Sequence, residues 1–178
     1  MSVLITYASV HGSTKEIAER VGAVLSTYLG DSNIAVHVLP MEQAKDISKY
    51  NFIIIGSAVH NFEWVPLGSS WLSRNKSAVS KVPVWAFSVG TPFAIGKIGQ
   101  RMLESKDEER KLVEAIEANV HIESHTLFNG KVLTSHTPTL FNMWWRLFGG
   151  KFGDFRDWDT IDNWAKEVGD QILQKVRG

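Results

Sequence analysis

Short apolar runs alternate along this chain with segments whose apolar residues recur every three or four positions. Val3-Leu4-Ile5-Thr6-Tyr7 reads as a buried strand. Over residues 14–29, Ile17, Val21, Val24, Leu25 and Tyr28 fall on one helical face. Ile34-Ala35-Val36-His37-Val38-Leu39 is a second strand, and residues 43–50 predict a short helix. Phe52-Ile53-Ile54-Ile55-Gly56 is a third strand, apolar throughout, as expected where helices cover both faces of a sheet. Pro66 suits the first position of a helix that carries Leu67, Trp71 and Leu72. Residues 82–89 form a fourth strand. A helix over residues 108–119 turns Leu112, Val113 and Ile116 inward, and its entry, Ser105-Lys106-Asp107-Glu108, matches a capping box. Residues 126–133 form a fifth strand kinked at Gly130. The last helix starts near Asp157 and buries Ile161, Trp164, Ala165, Val168 and Ile172.

Five strands with helices between them predict an α/β fold: a parallel, doubly wound sheet with right-handed crossovers and strand order 2-1-3-4-5. No linker or repeat divides the 178 residues, which fit one domain with an aromatic-rich insert at about 136–156. In such a sheet, ligands bind beyond the carboxyl ends of the strands, where the strand order reverses. That rule selects the loops at residues 8–14, 56–66 and 89–97.

The first loop, Ala8-Ser9-Val10-His11-Gly12-Ser13-Thr14, places three hydroxyls and a glycine before a helix. Free backbone N–H groups and the helix dipole favour phosphate at such a place. Gly12 lets the backbone come close, and Ser9, Ser13 and Thr14 add hydroxyl donors. The bland alternative is an ordinary strand-to-helix turn capped by Ser13. The loop lacks the lysine of a nucleotide-triphosphate loop and the G-x-G-x-x-G pattern of a dinucleotide fold. The second loop carries Ser57, Ala58, Val59, His60, Phe62 and Trp64; the third carries Ser88, Val89, Gly90, Thr91, Phe93 and Gly96. A planar ring wants flat apolar walls and a few polar groups at its rim. Trp64, Phe62 and Phe93 are candidate walls, and His60 a candidate hydrogen-bonding group; pinning the next helix is the competing role for the aromatics. No acidic residue precedes Glu16, so the aspartate cluster of a phospho-acceptor domain is absent.

Composition narrows the chemistry. Lys+Arg and Asp+Glu both number 19, so there is no basic surplus to suggest nucleic acid. The chain has no cysteine, which excludes disulfides, thiol catalysis and cysteine-held metals, and no metal site is assigned. Redox work then falls to a bound cofactor. No side chain stands out as a general acid or base. The first residues lack the charged and apolar regions of a signal peptide, and no apolar run reaches the roughly 18 residues of a membrane span, so a cytoplasmic location is expected.

Ser9-x-x-Gly12-x-Thr14 after the first strand is similar to the phosphate signature of flavodoxins, with serine where threonine often leads. The wider pattern resembles the menaquinone-dependent protoporphyrinogen IX dehydrogenases and their flavodoxin-domain relatives. It rests on Tyr7-Ala8-Ser9 with Gly12-Ser13-Thr14-Lys15-Glu16-Ile17-Ala18, on Ile55-Gly56-Ser57-Ala58-Val59, on Phe87-Ser88-Val89-Gly90, and on Phe148-Gly149-Gly150 leading to Asp157-Trp158 and Trp164-Ala165. The resemblance implies a flavodoxin-like fold and FMN as cofactor. Ser9, His11, Gly12, Ser13 and Thr14 would surround its phosphate, and the loops at 57–64 and 89–96 its ring. It also implies electron transfer from a reduced small molecule to a quinone at the membrane.

Residues 140–148 (Leu140-Phe141-Asn142-Met143-Trp144-Trp145-Arg146-Leu147-Phe148) are densely aromatic with basic neighbours. That composition suits an element lying at the inner face of a membrane, or a lid over a hydrophobic substrate. The alternative is packing on the core or on a second copy in a homodimer. The functional expectation is an FMN-dependent oxidoreductase that passes electrons to a quinone or another acceptor. A flavodoxin-type carrier is the runner-up; such carriers are usually acidic, which zero net charge does not match. A flavin-free interaction module comes third.

Overall fold

The computed structural model describes residues 1–90, 106–134 and 150–178. Strand β1 (Ser2–Ala8) leads through a four-residue loop into helix α1 (Ser13–Tyr28). Then follow β2 (Ala35–Pro40), β3 (Phe52–His60), β4 (Glu63–Trp64), α2 (Pro66–Val79), β5 (Val84–Gly90), α3 (Lys106–Glu117), β6 (Ser124–Asn129), β7 (Lys131–Val132), β8 (Gly153–Asp154) and α4 (Trp158–Arg177). The main sheet runs β2-β1-β3-β5-β6, with each neighbouring pair parallel. With the short hairpin arm β4 set aside, this is the expected order 2-1-3-4-5, and the fold is the flavodoxin-like α/β fold.

Strand alternation divides the core in two. On one face Ile5, Ile54, Trp85, Phe87 and Phe128 meet α1 and α4; on the other Leu4, Ile53, Ile55 and Ala86 meet α2 and α3. Phe87, Phe128 and Trp164 form an aromatic triad with centroids 5.6 to 5.9 Å apart. Gly56 makes room for it, because a Cβ there would collide with the Phe87 ring. Helices α1 and α4 are also tied at their exposed edges. Arg20 donates to both carboxylate oxygens of Asp162 at 2.7 and 2.6 Å, and the Tyr28 hydroxyl donates to Asp170 at 2.7 Å. Asp157 caps α4, its carboxylate accepting from the Thr160 N–H at 3.1 Å.

Four expected elements are corrected. Residues 43–50 form turns rather than a helix. Met41, Ala44, Ile47 and Tyr50 are buried at helical spacing, but the Asp46 side chain accepts from both the N–H and the hydroxyl of Ser48. That local turn competes with a helix for the backbone. The third strand runs on past Gly56 to His60 and folds back as a hairpin, His60 pairing with Glu63. The fourth begins at Val84, since Pro83 has no N–H to give a ladder. The fifth stops at Asn129, and after Gly130 the chain leaves the sheet to pair with β8. The capping entry at Ser105 lies outside the described residues.

Candidate functional site

The loop after β1 is built around Gly12. Its φ of 88° is left-handed, a conformation that costs glycine nothing. The Gly12 N–H donates to Ser9 Oγ at 3.1 Å, and its carbonyl accepts from the Glu16 N–H at 3.0 Å, opening the helical ladder. Gly12, not Ser13, is therefore the cap, and no side chain occupies the capping position. The first-turn amides of Ser13, Thr14 and Lys15 have no intrahelical acceptor and lie at the positive end of the α1 dipole.

The end of β6 closes on this loop. The Gly130 N–H donates to the Gly90 carbonyl at 2.6 Å, and the Lys131 N–H donates to Ser13 Oγ at 3.2 Å. A Cβ on Gly130 would lie 3.2 Å from the Gly90 oxygen and 3.5 Å from the Ser13 Cβ, so only glycine allows this approach without displacing a neighbour. Ser9 and Ser13 thus use lone pairs inside the protein. Neither bond uses the hydroxyl hydrogen.

Of the residues expected at the site, Val10, His11, Ser13, Thr14, Ala58, Val59, His60, Val89 and Gly90 line a single cleft of about 90 Å³, together with Gly130 and Lys131. The rings of His11 and His60 are 6.5 Å apart. Phe62 is at the tip of the adjoining hairpin, 46% exposed, where Asn61 and Phe62 both take positive φ (51° and 63°). A two-residue hairpin of this hand demands that conformation, which a phenylalanine adopts only under strain.

Ser57, Ser88 and Trp64 go elsewhere. Their side chains are buried on the α2/α3 side of the sheet. Trp64 Nε1 donates to Ser88 Oγ at 2.8 Å, so this indole is not a wall of the cleft. Ser88 Oγ also meets His125 Nε2 at 2.8 Å, and His125 Nδ1 faces Glu109 at 3.3 Å. Burial lowers the His125 pKa against the opposing pull of Glu109. Ser57 donates to the Ala58 carbonyl at 3.0 Å beneath Gly68. Thr91, Phe93, Gly96 and residues 140–148 lie outside the described residues.

An ion cluster backs the phosphate-type loop. Glu16, in the first turn of α1, accepts from both Lys131 Nζ and Arg156, and Arg156 also binds Asp154. The bonds from Lys131 and then Arg156 hold the Glu16 carboxyl below its ordinary pKa. Lys131 and Gly130 were not among the expected site residues. The rule that selected three strand ends would have reached them if extended to the fifth.

The arrangement suits a ligand with an anionic end on the α1 amides and an apolar body against Val10, Ala58, Val59 and Val89. Among the described residues, no helix is long and apolar enough to cross a membrane. No curated protein matches the sequence. Among solved structures, the chain is similar to an archaeal flavodoxin, with 18% identity over 100% of both chains and a TM-score of 0.56. A Fusobacterium nucleatum flavodoxin bound to flavin mononucleotide aligns over 98% of both chains, with 13% identity and a TM-score of 0.52. Rubredoxin oxygen:oxidoreductase from Desulfovibrio gigas aligns with 99% of this chain but with 37% of its own length, with 16% identity and a TM-score of 0.57. Residues 4–140 match the model of the flavodoxin domain, and the chain belongs to that family.

Proposed function

We propose that this chain binds FMN in the cleft and works as an FMN-dependent oxidoreductase. One observation carries this reading: Ser13 and Thr14, in the first turn of α1, line a cleft with the apolar Val10, Ala58, Val59 and Val89 at the point where the strand order reverses, and Ser9 shapes the loop behind them by accepting from the Gly12 N–H. The donor set fits a phosphate: the first-turn amides of α1 have no intrahelical acceptor, the hydroxyls of Ser13 and Thr14 line the cleft, and Ser13 Oγ already accepts from the Lys131 N–H. Bound FMN supplies the redox chemistry. The protein's part is to hold the phosphate on the loop and to keep water from the ring through Val10, Ala58, Val59 and Val89. The neighbouring His60 and Phe62 stand where a redox partner approaches. The Fusobacterium flavodoxin, which binds flavin mononucleotide, supports the choice of cofactor.

The electrons come from a reduced small molecule and pass to a quinone or another acceptor. The sequence resemblance points to protoporphyrinogen IX as donor and menaquinone as acceptor. Residues 140–148 then serve as the contact with the inner face of the membrane. A flavodoxin-type carrier without its own substrate is the alternative, favoured by end-to-end alignment with the archaeal flavodoxin.

Titrating the apoprotein with FMN and riboflavin tests the cofactor. FMN should bind at least about tenfold more tightly, a gap of ~1.4 kcal/mol; equal affinities would overturn the phosphate assignment. Turnover with a lipophilic quinone separates the oxidoreductase from the carrier, which should show none. Replacing both Trp144 and Trp145 by Ser should lower vesicle association and leave FMN affinity unchanged. Loss of flavin with unaltered vesicle association would assign those tryptophans to the core.

A further inference from the structure

We propose that Lys131 is a second recognition element for the FMN phosphate, held at the cleft by Glu16 and released to the phosphate when FMN arrives. This rests on the FMN reading above and adds to it a residue outside the loop after β1.

Lys131 is the only lysine or arginine among the described residues lining the cleft. Its backbone is fixed there, since its N–H donates to Ser13 Oγ at 3.2 Å. Its side chain is 19% exposed and its ammonium rests on Glu16, one turn along α1 from Ser13. Glu16 does not depend on Lys131 for neutralisation. Arg156, whose side chain is 6% exposed and is itself braced by Asp154, binds the other carboxylate oxygen. The ammonium can therefore move while the carboxylate remains paired. The four groups carry two positive and two negative charges, so a phosphate entering beside them makes the region strongly negative. Lys131 is the cation placed to offset this, because Arg156 is pinned between two carboxylates. Backbone amides bind phosphate through fixed dipoles, but an ammonium binds it as a mobile charge, so this share of the affinity is screened by salt.

The test compares the parent with Lys131→Met, Lys131→Arg and Glu16→Gln as full-length apoproteins. FMN and riboflavin are titrated by flavin fluorescence quenching at low and high salt. Lys131→Met should weaken FMN about five- to tenfold and leave riboflavin unchanged. It should also flatten the salt dependence of FMN binding. Lys131→Arg should restore most of the affinity. Glu16→Gln frees the ammonium without removing it, so FMN affinity should hold or rise. Equal FMN affinity in parent and Lys131→Met would overturn the proposal and leave the FMN reading intact. So would parallel losses for FMN and riboflavin, or equal losses in Lys131→Met and Glu16→Gln, both of which mark a purely structural ion pair. A parent that binds neither flavin would overturn the FMN reading and this one with it.

Discussion

Small hydroxyl residues gather at the carboxyl ends of β1, β3 and β5, yet they meet two fates. After β1, Ser9 and Ser13 accept from backbone N–H groups, and Ser13 lines the cleft beside Thr14. On β3 and β5, Ser57 and Ser88 are register partners in one row across the sheet with Ala8 and Leu127, and that row faces α2 and α3. Both are fully buried and satisfied inside the protein, Ser57 by a carbonyl and Ser88 by Trp64 and His125. Residue type and position along the chain are similar in the two regions. The difference is that a strand assigns its side chains to faces by parity, whereas a loop that has left the strand does not.

The sharpest way to break this comparison is Gly12→Val. The left-handed φ cannot be kept with a branched side chain, so the loop must reshape. FMN affinity should fall at least about 100-fold, ~2.7 kcal/mol. Retained affinity would show that the loop does not hold the phosphate. Ser88→Ala probes the other region, stranding the Trp64 N–H and one His125 nitrogen. Urea unfolding should register a loss of about 2 kcal/mol, with the ratio of FMN to riboflavin affinity unchanged. A collapse of that ratio would mean that the two regions are one site. Thr14→Ala removes a single donor from the cleft side and should cost FMN about 1.5 kcal/mol, with riboflavin unaffected. The smallest effect is one of pH. His125 is buried in its neutral form, so the unfolded chain takes up a proton more readily, near pH 6.5. Stability from this group is complete above that value and declines as pH drops below it toward the lowered folded value. His125→Gln should flatten that decline in a series of unfolding curves from pH 7.5 to 5; an unaltered slope would exclude His125 as its source.

Much of this was legible in the residues themselves. The continuous apolar run at residues 52–56 required a strand covered on both faces, and the Asp157 cap fixed the start of α4. The turn at Gly12 is legible because a glycine between a strand and an amphipathic helix marks a left-handed residue, which the φ of 88° shows. Other features depended on contacts distant in sequence or on competition at short range. Nearness to a strand end groups Ser57, Ser88 and Trp64 with the loop residues, whereas two-residue parity from Ile53 and Ile55 puts Ser57 inside. The helical spacing at 41–50 was real but lost to an Asp46 turn. Lys131 meets Ser13 and Glu16 only because Gly130 brings two strands together, and no local pattern announces a contact across 115 residues.

That long reach has a kinetic side. The platform behind the α1 loop closes only when Lys131 and Arg156 reach Glu16, and α1 gains its outer partner only when Asp162 and Asp170 reach Arg20 and Tyr28, each 142 residues away. Closing such separations carries the largest chain entropy and rewards the chain late. The loop after β1 is therefore fully backed only once Arg156, just ahead of α4, has reached Glu16. Conditions that fray the chain from Arg156 into α4 should therefore loosen the backing of the α1 loop before they disturb the central strands.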